Sequence, residues 1–166
     1  MPKHIGSMSY TRQKYVRGLP QSKIHVFTIG DKTLDHSHVA MLKPIGPTEI
    51  GSEALEAARV TANKVMEGSG KPYLLKVLVY PHEIVREHKF MGFAGADRLS
   101  QGMSRSFGRT KKRAAKLNAG QAVFAIYVTN DMVALATTAL KRAAKKLPLI
   151  YNVSVEEVKA EEASAN

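Results

Sequence analysis

The chain has no cysteine. That excludes disulfides, thiolate nucleophiles and cysteine-built zinc sites, and it suits a reducing cytoplasm. Tryptophan is also absent, and aromatic residues make up only 7%. A broad stacking platform for single-stranded nucleic acid needs more exposed rings than this composition supplies. Long apolar runs are missing as well. The longest, Ala122 to Val128, has seven residues, far short of the roughly 20 that cross a bilayer as a helix. Met1 to Tyr10 lacks the apolar centre of a secretory signal. A cytoplasmic protein is therefore expected, with no membrane partner. Acidic residues are scarce too: 14 Asp and Glu face 25 Lys and Arg, for a formal net charge of +11. A field of that sign gathers polyanions, nucleic acid first and anionic membrane second.

What is present suffices for one domain. The 166 residues are 44% hydrophobic, enough to build a core. Residues 1–155 read as a single α+β domain, opened by a polar, basic arm over 1–20 that carries Arg12, Lys14 and Arg17 among Tyr10 and Tyr15. Residues 156–166 read as an acidic flexible tail. Lys23 to Ile29 is β-branched, alternates, and ends at Gly30, so a strand is expected there. A short strand is expected around His38 to Lys43. Ser52 to Met66 carries an apolar stripe of Leu55, Ala58, Ala62, Val65 and Met66 at helical spacing. Ser52 is its expected cap, Glu53 and Glu56 lie near the positive end of its dipole, and Gly68 ends it.

Tyr73 to Tyr80 and Ala122 to Val128 are apolar at almost every position and predict strands covered on both faces. Met132 to Leu147 predicts a second helix, buried through Val133, Ala136, Leu140, Ala143 and Leu147 and stopped by Pro148. Its cations Lys141, Arg142, Lys145 and Lys146 fit a solvated, dipole-favoured helix end as well as a binding role. A last strand is expected over Leu149 to Val155. The sum is an α+β fold, a two-layer sandwich of helices on a largely antiparallel sheet.

Charge is concentrated in one place. Between Arg98 and Asn130 there is no acidic residue, while Arg98, Arg105, Arg109, Lys111, Lys112, Arg113 and Lys116 all fall there. Apolar periodicity lapses from Gly102 to Ala119, so residues 102–118 are expected to form a long, flexible basic loop that repels itself until a polyphosphate relieves it. Neutralising about six phosphates would give log affinity a slope of roughly −4 to −5 against log salt. A plain basic linker or a localisation signal is the competing reading.

Catalytic patterns are weak. His36 and His38 could share a strand face, and His82 or His88 could join them, but no carboxylate spacing completes a metal site. No phosphate loop, nucleophile elbow or dinucleotide fingerprint is present. Asp97 and Arg98 read more simply as a local cap and ion pair. Neither metal nor cofactor is expected, and no complete set of nucleophile, base and oxyanion donors is found. An enzyme acting on RNA is the rival class.

Three strings carry a resemblance: SEALEAARVTANKVM from Ser52, AGADRLSQGMSRSFG from Ala94, and AGQAVFAIYVT from Ala119. With YTRQKYVRGLPQSKI from Tyr10, they resemble the archaeal and eukaryotic large-subunit ribosomal proteins called L-ten-e, of the universal L-sixteen family. The similarity covers roughly Tyr10 to Leu149, and the middle string is the most specific. The resemblance implies a structural, non-enzymatic component of the large ribosomal subunit. Its fold would be an α+β sandwich with a β-hammerhead element. It would bind large-subunit rRNA near the aminoacyl-tRNA site and the peptidyl transferase centre, among neighbouring ribosomal proteins, with its basic loop reaching towards tRNA and no small-molecule substrate. It implies rRNA contacts by Arg12, Lys14, Tyr15, Arg17, Lys23, Arg98, Arg105, Arg109, Lys111, Lys112, Arg113 and Lys116. The opening MPKHIGSMSY departs from the family's cysteine-bearing start. The loop tip, Arg-Thr-Lys-Lys-Arg over 109–113, is more basic than the family pattern. The short end after Leu149 fits the archaeal type. An assembly factor, or another RNA-binding protein, is the alternative.

Overall fold

The computed structural model describes residues 11, 14, 16–33, 36–87 and 108–158. Among them lie eight strands and two α-helices. The strands are β1 (Thr28–Gly30), β2 (His38–Pro44), β3 (Thr48–Gly51), β4 (Leu74–Val77), β5 (Glu83–Glu87), β6 (Arg109–Leu117), β7 (Phe124–Val128) and β8 (Tyr151–Glu157). Helix α1 is Ser52–Glu67; α2 is Val133–Ala144, entered through a 3-10 turn, Asn130–Met132. Five strands form one antiparallel sheet in the order β1-β4-β7-β2-β8, and three form a second in the order β3-β6-β5.

The expected class is the one found. The apolar run around Phe124 becomes β7, the middle strand of the larger sheet, paired with β4 on one side and β2 on the other. That position explains its composition, since a strand paired on both edges and covered needs apolar side chains on both faces. Helices α1 and α2 lie against each other over small residues. Ala58 and Ala62 of α1 and Ala136, Ala139 and Ala143 of α2 are all fully buried. These join Leu42, Leu75, Phe124 and Ile126 of the larger sheet, and Ile50, Ala115 and Leu117 of the smaller one, in a single apolar cluster. Each fully buried large side chain contributes about 1.5–3 kcal/mol. One core therefore holds both sheets in fixed relation.

Several expectations are corrected. The strand expected over Lys23 to Ile29 reduces to the three residues of β1. It ends at Gly30, whose φ of +105° suits glycine, and a Cβ there would collide with the Tyr73 carbonyl just before β4. Ser52 does not cap α1. Gly51 holds that position, in extended geometry and with no side-chain cap bond. Gly51 is also the last residue of β3, so the chain passes from strand to helix without a loop. Glu56 accepts a hydrogen bond from Arg59 instead of merely facing the dipole; this bond holds its carboxyl below the ordinary glutamate range. The last strand runs on to Glu157, so the expected acidic tail begins inside β8, where Glu156 pairs with Lys43 of β2 at 2.9 Å. Residues 159–166 lie outside the described residues.

Tyr151 gives a pH test of this edge of the core. Burial pushes its hydroxyl up to about 12. The folded state thus favours the neutral phenol. Stability linked to it is complete below the unfolded value of 10 and is lost as pH rises through about 12. At about 1.4 kcal/mol per unit, the loss approaches roughly 2–3 kcal/mol. Tyr151→Phe should be within about 1 kcal/mol of the parent at pH 7 and lack that alkaline loss. Urea melts of both proteins across the window check it; parallel pH profiles would contradict it.

Candidate nucleic-acid interface

The basic stretch is not a loop where it is densest. Arg109 to Leu117 forms β6, the middle strand of the smaller sheet, paired with β3 and β5. Residues 102–107, the remainder of the expected loop on that side, lie outside the described residues. The register sorts the side chains of β6. Leu117 opposite Thr48, and Ala115 opposite Ile50, face the core. Lys116 opposite Glu49, and Ala114 opposite Gly51, face the other way. On that outer face Lys112 folds over Gly51, at the start of α1.

A bulge breaks the pairing with β5. Val85 pairs with Lys112 and Arg86 with Thr110, so Lys111 has no opposite residue. A bulge adds local twist and re-aims the extra side chain. Here the Lys111 amine meets Glu87 at 2.6 Å, an exposed pair worth under about 1 kcal/mol. Lys116 is half-buried, with its amine 4.0 Å from Glu83. Arg113 donates from Nε to the Pro20 carbonyl at 2.9 Å, and Arg86 donates to the Gly108 carbonyl at 3.0 Å. Glu83 and Glu87 of β5 and the Pro20 carbonyl thus meet three of its cations and offset the repulsion among them.

The expected site residues now divide. Arg109 is exposed at the start of β6, and Lys112 is half-buried on its outer face. Lys111, Arg113 and Lys116 lie in the same strand but are engaged by Glu87, Pro20 and Glu83. The Arg113 bond also brings the arm to the strand. Residues 16–23 run past β6 before Ile24 plunges into the core at 1% exposure, and Arg17 and Lys23 are exposed along that segment, as is Lys14 just before it. Two groups distant in sequence therefore share one region. Arg12, Tyr15, Arg98 and Arg105 lie outside the described residues, as do Asp97 and His88.

Sequence reading missed the acids that organise this strand: Glu49 on β3, and Glu83 and Glu87 on β5. The string EIVRE is only five residues long and does not alternate, so it carries little strand signal of its own. His36 and His38 do not converge on a shared site. His36 approaches the Asp31 carbonyl through Nε2, while His38 bonds the Ser37 hydroxyl. Among the described residues no group of three or more His, Asp or Glu side chains could hold a metal, and no helix is long and apolar enough to cross a membrane.

Comparison with known proteins adds to this geometry. The family model described as ribosomal protein L16p/L10e matches residues 5–154. A protein of Staphylothermus marinus, named large ribosomal subunit protein uL16, is 44% identical over 148 residues, covering 88% of this chain and 85% of its own. Proteins of the same name from Metallosphaera sedula and Methanocella arvoryzae are 42% and 41% identical. They cover 96% and 94% of this chain, and 93% and 92% of their own lengths.

Proposed function

The chain belongs to the ribosomal protein L16p/L10e family, and from that premise we propose that it is a structural constituent of the large ribosomal subunit. It works as a scaffold and not as an enzyme. Its partners are large-subunit rRNA and neighbouring ribosomal proteins, and its place is the ribosome. The observation that carries this reading is β6, a cation-rich strand fixed in a rigid sheet beside the exposed cations of residues 14–23. Phosphate contacts position a protein on RNA, and they bind best when the cations are already arranged.

We assign the phosphate contacts first to Arg109 and Lys112, then to Lys14, Arg17 and Lys23. Lys111, Arg113 and Lys116 serve RNA binding more through the shape of the strand than through free charge. Arg12, Tyr15, Arg98 and Arg105 complete the proposed set. The finer placement, near the aminoacyl-tRNA site and the peptidyl transferase centre with tRNA reached from the segment before β6, is part of the same proposal and follows the family resemblance.

Sedimentation of a cell lysate tests it directly. Large subunits washed in high salt should retain close to one copy per particle and carry it into translating ribosomes. A peak confined to immature particles would make the protein an assembly factor. A position at the top of the gradient would end the ribosomal reading.

A further inference from the structure

Tyr80, Pro81 and His82 lead into β5 through a turn that is closed on itself. The His82 amide donates to the Tyr80 carbonyl at 3.0 Å, and His82 Nδ1 reaches the same carbonyl at 3.0 Å. Pro81 between them is buried and has a fixed φ. The turn holds both rings outward: Tyr80 is 54% exposed, and the His82 side chain 62%. Behind Tyr80 stands Phe27, with ring centroids 5.6 Å apart, and Phe27 itself rests on the core. The tyrosine ring is therefore supported while much of it meets solvent.

This turn adjoins the basic strand. His82 Nε2 lies 3.6 Å from one oxygen of Glu83, and Lys116 of β6 lies 4.0 Å from the other. Glu83 pairs with Ala114 in the middle of β6. A supported ring thus stands three residues before the glutamate that Lys116 approaches, at the entry to a strand paired with β6. The chemistry that fits both is a nucleotide: the ring takes the face of a base, and the cations take the flanking phosphates. Every base offers such a face, and unpaired RNA bases stack on aromatic side chains. A ring already held by its neighbours loses little freedom when a base arrives.

We propose that the Tyr80–His82 turn is a stacking site for one unpaired RNA base, next to the phosphate-binding strand. The site rests on the RNA-binding reading above. A single supported ring is compatible with a composition too poor in aromatics for a broad stacking platform.

The test uses the full chain and a transcript of large-subunit rRNA, with filter binding over a salt series. Tyr80→Leu keeps apolar packing on Phe27 but removes the ring. Its affinity should fall roughly 5- to 150-fold with the salt slope unchanged, because stacking releases no counterions. Tyr80→Phe should bind like the parent. Ultraviolet crosslinking of the parent complex should join a nucleotide to Tyr80 or His82. Parental affinity in Tyr80→Leu overturns the proposal, as does an equal loss in Tyr80→Phe, which would signal a hydroxyl contact. Normal rRNA affinity with poor retention on subunits would make the turn a protein-binding surface. Should Tyr80→Leu misfold, the crosslink decides, and its absence at both rings overturns the site. If the parent chain itself shows no salt-dependent affinity for the transcript, the RNA reading fails as a whole.

Discussion

Replacing Arg109 and Lys112 together by glutamine is expected to weaken binding to large-subunit rRNA about 25- to 60-fold at about 0.1 M salt, with the fold intact. The figure follows from two phosphate contacts, each scaling affinity with salt to a power of about −0.7 to −0.9. The slope of log affinity against log salt should become shallower by about 1.4 to 1.8. Filter binding over a salt series measures both numbers. These two cations are chosen because Arg109 is exposed and Lys112 lies on the outer face of β6, over Gly51. Lys116 makes the contrast. Its half-buried amine faces Glu83, so Lys116→Gln should lower stability more than it changes the slope. An unchanged slope in the double variant would remove β6 from the interface.

The largest effect on stability is expected from Phe124→Ala. Phe124 is fully buried in β7, opposite Leu42 of β2 on one side and Val77 of β4 on the other. Truncation there removes apolar burial and leaves a cavity that strands on both sides cannot close, costing about 3–5 kcal/mol. Against a total of roughly 5–15 kcal/mol, that is a large share. The melting temperature should drop by roughly 10 °C or more, followed by circular dichroism. A loss under about 1 kcal/mol would mean that β7 is not the centre of the sheet.

Much of this fold is legible locally, and the reason is burial. Where an element buries one stripe or two faces, its own residues carry the pattern. Leu55, Ala58, Ala62 and Met66 announce α1, and Phe124 to Val128 announces β7. The class follows from such elements. The arm and its cations are legible as composition, and the family is legible from the AGADRL string and its neighbours. Capping was read wrongly at Ser52 because Gly51 belongs at once to β3 and to the cap. A strand that feeds a helix directly leaves no room for a conventional capping residue.

The basic strand was the chief misreading. Arg109 to Leu117 reads as a loop because its outward positions are cations and like charges repel. That rule considers the segment alone. In the folded chain, Glu49, Glu83 and Glu87 come alongside from β3 and β5, and the Pro20 carbonyl meets Arg113. By itself the sequence determined the sign of the charge, the buried helices and central strands, the α+β class and the family. Only the tertiary structure decided which cations are held and which face outward, and it set Tyr80 against Phe27. Those outcomes depend on carboxylates and rings brought from distant segments, and a Coulomb or stacking contact between such segments leaves no periodic mark in either one.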